Sequence, residues 1–204
     1  MKNIITITTD FGDQFAAAQL HAIIATYNFD GNIIENHSIT PFSIEEGAFE
    51  IWQLSKFTPE NTVHLGVVDP GVGSSRWGII IKTKKGWYVG PDNGLLYPAA
   101  TRDGITQVWK IKEESFGDIS NTFHGRDVFV KAAVLLSQGK KPQDFECVNQ
   151  MLRENLPFST SYHVSLILSA ACRHGKLNTL TLTMNYCEQF KLRPSWHDLF
   201  GAVG

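Results

Sequence analysis

The sequence predicts an α/β/α domain with a mostly parallel sheet, and three observations carry this prediction. Short apolar stretches rich in β-branched residues alternate with longer stretches whose apolar residues recur at helical spacing. The stretch 63–68 (VHLGVV) is almost entirely apolar, which is typical of a strand buried on both faces of a parallel sheet. Acidic or glycine-rich segments come directly after several predicted strands. Such alternation favours an α/β fold.

Each predicted element has a local reason. β-branched residues mark the strands, and apolar side chains at intervals of three and four residues mark the helices. Ser43 is a good N-cap, and Glu46 stands three residues later as its capping-box partner. The turn 84–86 (KKG) joins two strands as a hairpin, and Gly139 is a natural C-cap. In chain order we predict strand 4–8, helix 14–27, strand 32–35, helix 43–55, strands 63–68, 78–83, 87–89 and 108–111, and helix 127–138.

Composition and charge restrict the classes of function. The chain has 204 residues, of which 43% are hydrophobic and 19% charged, as in folded soluble domains. A net charge of -2 provides no basic field for nucleic acid, and no apolar stretch approaches the roughly 18 residues of a membrane-spanning helix. Three widely spaced cysteines fit neither a disulfide framework nor a zinc site. We therefore expect a cytoplasmic protein that binds neither nucleic acid nor membranes.

The character of the sequence changes near residue 157. Residues 1–157 contain the alternating pattern and are predicted to form the N-terminal domain. Residues 158–204 contain strand-like stretches but none of the glycine–acid segments. We expect this second part to be a short or degenerate β-rich segment, with 156–161 (LPFSTS) as the linker.

Three of the segments at strand ends are candidates for a ligand site. In open α/β sheets, ligands bind beyond the carboxyl ends of the strands. Asp10 follows the first strand, Asp69 follows the strand at 63–68, and Asn93 lies in 90–94 (GPDNG) after the hairpin. Three such segments on one edge indicate a ligand site better than any one of them alone.

The segment 69–76 (DPGVGSSR) has two interpretations. Its proline fixes the chain just after the strand, and its two glycines permit a close approach to a ligand. Arg76 can then fold back over Asp69. The same pattern fits a tight turn with a surface arginine equally well.

The segment 122–127 (TFHGRD) opens the last predicted helix, where backbone N–H groups suit an oxygen-rich ligand. His124 fits a base, a hydrogen-bond donor or a ligand, and it also fits a capping histidine in a turn. Arg126 and Asp127 fit a local ion pair. Phe42 lies just before a helix and is placed to face a ligand, although core packing explains it at least as well.

Six segments, taken in order, resemble one known family. The set is similar to the S-adenosyl-L-methionine (SAM) hydrolases that form adenosine, also called SAM hydroxide adenosyltransferases. These are relatives of the fluorinating and chlorinating enzymes that use the same substrate. The resemblance covers residues 3–145, and an ordered set of motifs is far more specific than one glycine-rich loop. The segments are 9–12 (TDFG), 37–42 (HSITPF), 47–49 (GAF), 67–73 (VVDPGVG), 90–96 (GPDNGLL) and 122–129 (TFHGRDVF).

The resemblance implies a reaction and a site. SAM and water give adenosine and L-methionine, so SAM is the substrate, and neither a cofactor nor a metal is required. The Asp–Arg–His set of the family falls on Asp69, Arg76 and His124, and its ribose-binding aspartate falls on Asp10. The halide-using relatives carry other residues in place of this Asp and His, which favours water as the nucleophile. The further residues expected at the substrate are Phe42, Asn93 and Gly125.

The C-terminal segment departs from the pattern of the family. The family has a β-rich C-terminal domain that helps to hold adenine and the methionine group, and it assembles as trimers with sites between subunits. Its acid-Phe-Gly-Asn segment is not found in 158–204. A frameshift or premature stop after about Pro157, or genuine divergence, explains the departure. We expect a homotrimer if the C-terminal region is competent.

Two alternative functions follow from these observations. The first is a SAM- or adenosine-binding protein with impaired catalysis, because the C-terminal domain would be incomplete. The second is a metal-dependent phosphohydrolase, in which acid-rich loops hold Mg²⁺ or Mn²⁺. The residues on which that second alternative would be built are Asp10, Asp69, Asp92, His124 and Asp127.

Overall fold

A mixed sheet of six strands organises the part of the chain that the structure describes. This computed structural model describes residues 2–12, 14–74, 76–117, 120 and 123–145. The boundary predicted at residue 157 and the segment 158–204 lie outside these residues. The strands are β1 (Ile4–Thr9), β2 (Asn32–Asn36), β3 (Val63–Val67), β4 (Gly78–Thr83), β5 (Trp87–Pro91) and β6 (Ile105–Lys110). The α-helices are α1 (Gln14–Thr26), α2 (Ile44–Leu54), α3 (Tyr97–Arg102) and α4 (Val130–Ser137).

The sheet has a parallel part and an antiparallel part, in the order β2-β1-β3-β5-β4-β6. β1 is parallel to both β2 and β3, and β3 is parallel to β5. β4 is antiparallel to β5 and to β6, so β4 and β5 form the predicted hairpin. All of β3 is buried, as its apolar sequence predicts. The predicted α/β fold is confirmed, and the mostly parallel sheet is correct for β1, β2, β3 and β5.

The helices follow the predictions with three differences. Ser43 caps α2, since its side chain accepts a hydrogen bond from the backbone N–H of Glu46 at 3.4 Å. The capping box is not reciprocal, because the Glu46 carboxylate accepts from the backbone N–H of Thr40 instead. The short helix α3 was not predicted. The last helix begins with a π-helical turn, Gly125–Phe129, before it continues as α4.

The hydrophobic core lies against the central strands of the sheet. α1 packs against α4, and α2 packs against α3. Trp52 and Trp109 are buried, and Trp87 packs against the core. Within the described ranges, no helix is long and apolar enough to cross a membrane. Core residues from strands and helices include Ile5, Ile7, Leu20, Val63, Leu65, Ile80, Val89, Phe129 and Val134.

Candidate active site

The topology of the sheet brings charged residues to a single edge. β1, β3 and β5 are parallel, so their carboxyl ends meet at that edge, and Asp69 follows β3 there. β4 runs in the opposite direction, so Arg76, just before β4, lies at the same edge. β6 is antiparallel to β4, which returns the chain to this edge at Glu113. The edge therefore collects side chains from three separate connections.

Arg76 folds back over Asp69. Its Nε lies 3.1 and 2.9 Å from the two carboxylate oxygens, and its Nη2 lies 2.6 Å from Oδ2. The Arg76 and Asp69 side chains are only 10% and 6% exposed, so little water competes with this charge-assisted pair. Gly73 helps to reverse the chain between them with a φ of 74°, a conformation that favours glycine. The interpretation of Arg76 as a surface residue is wrong.

The same guanidinium also contacts His124 and Glu113. Nη2 of Arg76 lies 2.8 Å from Nδ1 of His124, and Nη1 donates to Oε1 of Glu113 at 2.9 Å. Oε2 of Glu113 lies 3.2 Å from that same Nδ1. These four residues, Asp69, Arg76, Glu113 and His124, are called the charged cluster below. Three of them were predicted from the sequence, and Glu113 was missed.

A buried phenyl ring closes one side of the charged cluster. The guanidinium carbon of Arg76 lies 5.3 Å from the centroid of the Phe129 ring. The His124 ring meets Phe129 edge-on, with a centroid separation of 6.5 Å. Phe129 is fully buried. Because an apolar wall excludes water from this side, the interactions among the charges are stronger than they would be in solvent.

His124 stands immediately before the π-helical turn. Such turns are rare and occur frequently at functional sites. Its side chain makes no capping hydrogen bond, so the interpretation of a capping histidine is wrong. At Gly125, an added Cβ would lie 3.0 Å from Cγ1 of Val67 and 3.2 Å from the Phe11 ring. Glycine therefore lets the start of the helix approach the end of β3, and its contact with substrate stays a prediction.

Asp10 and Phe42 form a second group at the end of β1. Oδ2 of Asp10 accepts a hydrogen bond from the backbone N–H of Phe42 at 2.8 Å. No described residue donates to Oδ1 of Asp10. Phe42 has a φ of 64°, which is uncommon for a bulky residue, and it is 68% exposed. Core packing does not explain Phe42, whose ring is available to a ligand.

The structure gives Asn93 a role within the fold. Its Nδ2 donates to the carbonyl of Val68 at 2.8 Å, and its Oδ1 accepts from the backbone N–H of Leu95 at 3.1 Å. These bonds connect the end of β3 to the segment that follows β5. The predicted contact between Asn93 and the substrate stays a prediction.

A cavity of about 580 Å³ opens where β1 and β2 end, and it is lined in part by Gly12, His37 and Ser38. Small-molecule sites commonly have volumes of roughly 300–1,000 Å³. Nδ1 of His37 lies 2.7 Å from Oγ1 of Thr9, so His37 also supports the segment that leads to Asp10. The cavity provides room for a ligand in the neighbourhood of Asp10.

Two of the acids required by the phosphohydrolase interpretation are paired with arginines. Asp69 binds Arg76, and Asp127 forms the predicted ion pair with Arg126, at 2.6 Å. Burial acts to raise the pKa of Asp127, but the hydrogen bonds from Arg126 and Ser120 outweigh it and lower that pKa. Within the described part of the chain, no group of three or more His, Cys, Asp or Glu residues is arranged to hold a metal ion. Arginine charges beside these acids disfavour a cation there.

Comparison with known proteins decides the family. The sequence model described as the SAM hydroxide adenosyltransferase N-terminal domain matches residues 5–146. The chain belongs to the SAM hydroxide adenosyltransferase family. The resemblance of the six ordered segments is thereby confirmed. The match ends close to the end of the described residues, so it supports the α/β domain in particular.

The relatives are similar to this chain over only part of their length. The (R)-S-adenosyl-L-methionine hydrolase of Methanocaldococcus jannaschii is 42% identical over 153 residues, which are 71% of this chain and 57% of that protein. The corresponding hydrolase of Salinispora tropica is 38% identical over 141 residues, which are 66% of this chain and 53% of that protein. A fluorinase from an Actinoplanes species is 25% identical over 129 residues, 51% of this chain and 43% of the fluorinase.

A solved structure agrees with the fold. The crystal structure of an uncharacterized conserved protein from Thermotoga maritima superposes with a TM-score of 0.67 at 32% sequence identity. The superposition covers 72% of this chain and 59% of that one. The chain thus spans less than two thirds of the length of these relatives.

Proposed function

We propose that this chain hydrolyses S-adenosyl-L-methionine to adenosine and L-methionine, through attack of an activated water at C5′ of the ribose. The contact of Arg76 with both Asp69 and His124 carries the proposal, because it joins a fixed cation and a base in one shielded cluster. Relatives named (R)-S-adenosyl-L-methionine hydrolase, at 42% and 38% identity, support it.

The chemistry of SAM explains why this kind of cluster is sufficient. The electrophilic C5′ is attached to a sulfonium, and the leaving group is a neutral thioether, so no general acid is needed. The bond between the water oxygen and C5′ forms as the C5′–S bond breaks, and the electron pair of that bond stays on sulfur. The water gives up one proton, which passes through a base to solvent. Catalysis therefore depends mainly on positioning the water and accepting its proton.

The charged cluster supplies what the water needs. Arg76 is cationic at every physiological pH and favours the hydroxide form of a nearby water. Asp69 holds the guanidinium through both of its oxygens and orients the water together with His124. His124 accepts the proton, a role that typically contributes about 10²–10⁴-fold to a rate.

Asp10 fixes the other reactant. A carboxylate at this place can accept hydrogen bonds from both ribose hydroxyls, which fixes C5′ relative to the water. Holding two reactants in line in this way can contribute several kcal/mol, of the order of 7–11 in favourable cases. The exposed ring of Phe42, whose backbone N–H binds Asp10, is placed to contact the nucleoside. Asn93 and Gly125 complete the expected substrate contacts.

The finer expectations also belong to this proposal. We propose a cytoplasmic homotrimer with SAM bound between subunits, which rests on the resemblance to the family. Sedimentation of the purified chain, with and without SAM, tests the trimer. A monomer under both conditions would contradict it.

A second candidate function is binding of SAM or adenosine without turnover. The relatives at 42% and 38% identity do not favour it, because they are named as hydrolases.

One assay separates the candidates. The purified 204-residue chain is incubated with SAM, with and without EDTA, and adenosine and methionine are measured by chromatography. Equal amounts of both products, unchanged by EDTA, support the hydrolase. Binding of SAM without product supports the second candidate. Activity that EDTA abolishes contradicts the proposed metal-free reaction.

A further inference from the structure

We propose that Glu113 is a positioning residue of this site, which holds the proton of neutral His124 on Nδ1 so that Nε2 can accept a proton from the attacking water. This inference deepens the proposed hydrolase function and rests on it. Glu113 lies outside the Asp–Arg–His set and outside all six ordered sequence segments.

Two groups compete for the same nitrogen of His124. Nη2 of Arg76, 2.8 Å from Nδ1, can only donate a hydrogen bond and needs an unprotonated Nδ1. Oε2 of Glu113, 3.2 Å from Nδ1, can only accept while the carboxylate is ionised and needs a protonated Nδ1. One Nδ1 cannot satisfy both groups at once. The position of the imidazole proton is therefore decided by the balance between Arg76 and Glu113.

The two arrangements differ in what the ring can do. When Arg76 donates to Nδ1, the neutral ring of His124 carries its proton on Nε2 and has no free lone pair for a water proton. When Nδ1–H donates to Glu113, the lone pair of Nε2 is free, which is the form that a general base requires. Among the described residues, none forms a hydrogen bond with Nε2. A carboxylate that orients a histidine in this way is a recurrent catalytic arrangement.

The surroundings of Glu113 hold its carboxylate in place. Its other oxygen, Oε1, accepts from Nη1 of Arg76 at 2.9 Å, so the carboxylate is fixed at both oxygens. At Gly78, an added Cβ would lie 3.1 Å from Oε1 and 2.7 Å from Cε1 of Phe129, so only glycine leaves this space open. Asp69 already neutralises Arg76. The Glu113 carboxylate is therefore not needed to neutralise Arg76. Its contact with Nδ1 of His124 gives it a separate role.

The first test is the kinetics of Glu113→Gln in the full chain. A glutamine amide can donate to Nδ1 and so favours the form of His124 in which Nε2 carries the proton. We expect kcat to fall by about 10²-fold, while KM for SAM stays within about twofold because a positioning residue acts through His124 and not on the substrate. Glu113→Asp, which keeps the carboxylate, should recover part of kcat.

Glu60→Gln is the matched control, because Glu60 is exposed and lies before β3, at the opposite edge of the sheet. It should leave both constants unchanged. Thermal unfolding of each variant checks that the chain is folded. A folded Glu113→Gln variant with unchanged kcat would overturn the inference, as would a loss confined to KM.

The second test does not depend on turnover. Nitrogen-15 NMR of the histidine rings reports which ring nitrogen is protonated, and a His124→Gln variant assigns the His124 signals. We expect protonated Nδ1 in the wild-type chain and protonated Nε2 in Glu113→Gln. The same tautomer in both chains would overturn the inference. If the two chains show this tautomer difference but the wild-type chain forms no adenosine from SAM, the hydrolase proposal is contradicted instead.

Discussion

Two histidines are buried to a similar degree but have opposite partners. His64 is 2% exposed and His124 is 5% exposed. The two ring nitrogens of His64 lie 2.8 Å from Oγ1 of Thr6 and 3.3 Å from Oγ1 of Thr58, both uncharged hydroxyls. Nδ1 of His124 instead faces a guanidinium and a carboxylate. Burial alone does not distinguish a structural histidine from a candidate base.

The surroundings of His64 keep its ring neutral. Burial lowers the pKa of His64 to about 3, and the charges of Lys85 and Arg102 act in the same direction, while Asp103 opposes them. The ring stacks on Tyr88 with a centroid separation of 4.7 Å. Both nitrogens are occupied, so His64 has no free atom for chemistry. The comparison teaches that charged partners and a ring nitrogen without a hydrogen bond, rather than burial, distinguish a candidate base from a structural histidine.

The largest effect should come from His124→Ala. We expect kcat for SAM hydrolysis to fall by about 10²–10⁴-fold, the usual loss for a general base. Adenosine affinity, measured by calorimetry, should change much less, because the proposed ribose contact is at Asp10. His64→Ala is the contrast, with an unchanged kcat per folded molecule. A His124→Ala variant with wild-type turnover would contradict the assignment of His124 as the general base.

A smaller loss of turnover is expected from Asp69→Asn. The neutral amide no longer fixes Arg76 through two charged oxygens, and kcat should fall by about 10²-fold. Asp103→Asn is the matched control, because Asp103 also pairs with an arginine, Arg102, in a buried setting. The control should lose stability but keep kcat for the folded fraction. Equal kinetic losses in the two variants would mean that Asp69 has only a structural role.

Removal of the proposed ribose contact of Asp10 should affect binding more than chemistry. Asp10→Asn keeps the size of the side chain but loses a charged acceptor for hydroxyl groups, so KM for SAM should rise by about 10-fold. Steady-state kinetics with SAM checks this expectation. A fall in kcat without any rise in KM would indicate that Asp10 acts on the reacting atoms and does not bind the ribose.

The smallest effect that we expect is a pH dependence of the free energy of unfolding, and it comes from His64. The unfolded chain takes up a proton on His64 near pH 6.5, whereas the folded chain does so only near pH 3. Because the unfolded state binds more protons between these values, the free energy of unfolding falls as the pH drops below about 6.5.

Between about pH 7.5 and about pH 5, proton uptake by His64 on unfolding lowers the free energy of unfolding by roughly 2 kcal/mol. His64→Gln should remove it, so the stability difference between this variant and the wild-type chain should shrink as the pH falls. Urea denaturation at the two pH values measures this difference. A difference that is independent of pH would show that the pKa of His64 is the same in the folded and the unfolded chain.

The sequence predicts those parts of the molecule whose causes are local. Asp69 and Arg76 are seven positions apart, and the proline and glycines between them indicate a returning chain. β3 is recognisable because its own residues are apolar. His124 was found through the segment in which it lies, together with the order of the other segments. Asp10 was predicted in the same way, and its contact with the ribose stays a prediction.

The missed features depend on contacts between distant segments. Glu113 lies 37 positions from Arg76, and only the pairing of β6 with β4 brings it to the site. The hydroxyl of Thr6 lies 58 positions from His64, so the sequence pattern could not show this partner. The prediction of a mostly parallel sheet does not hold for β4 and β6, because apolar stretches do not reveal strand direction. α3 was missed since its six residues are too few for a helical pattern.

The most direct test of the account follows the oxygen atom. The chain is incubated with SAM in water enriched in oxygen-18, and the products are analysed by mass spectrometry. Attack of a water held by Arg76 and His124 at C5′ places one labelled oxygen in the 5′-hydroxyl of adenosine and none in methionine. The result we predict is labelled adenosine that forms about 10²–10⁴-fold more slowly in the His124→Ala reaction. Absence of adenosine from the wild-type reaction, or adenosine without the label, would contradict the account.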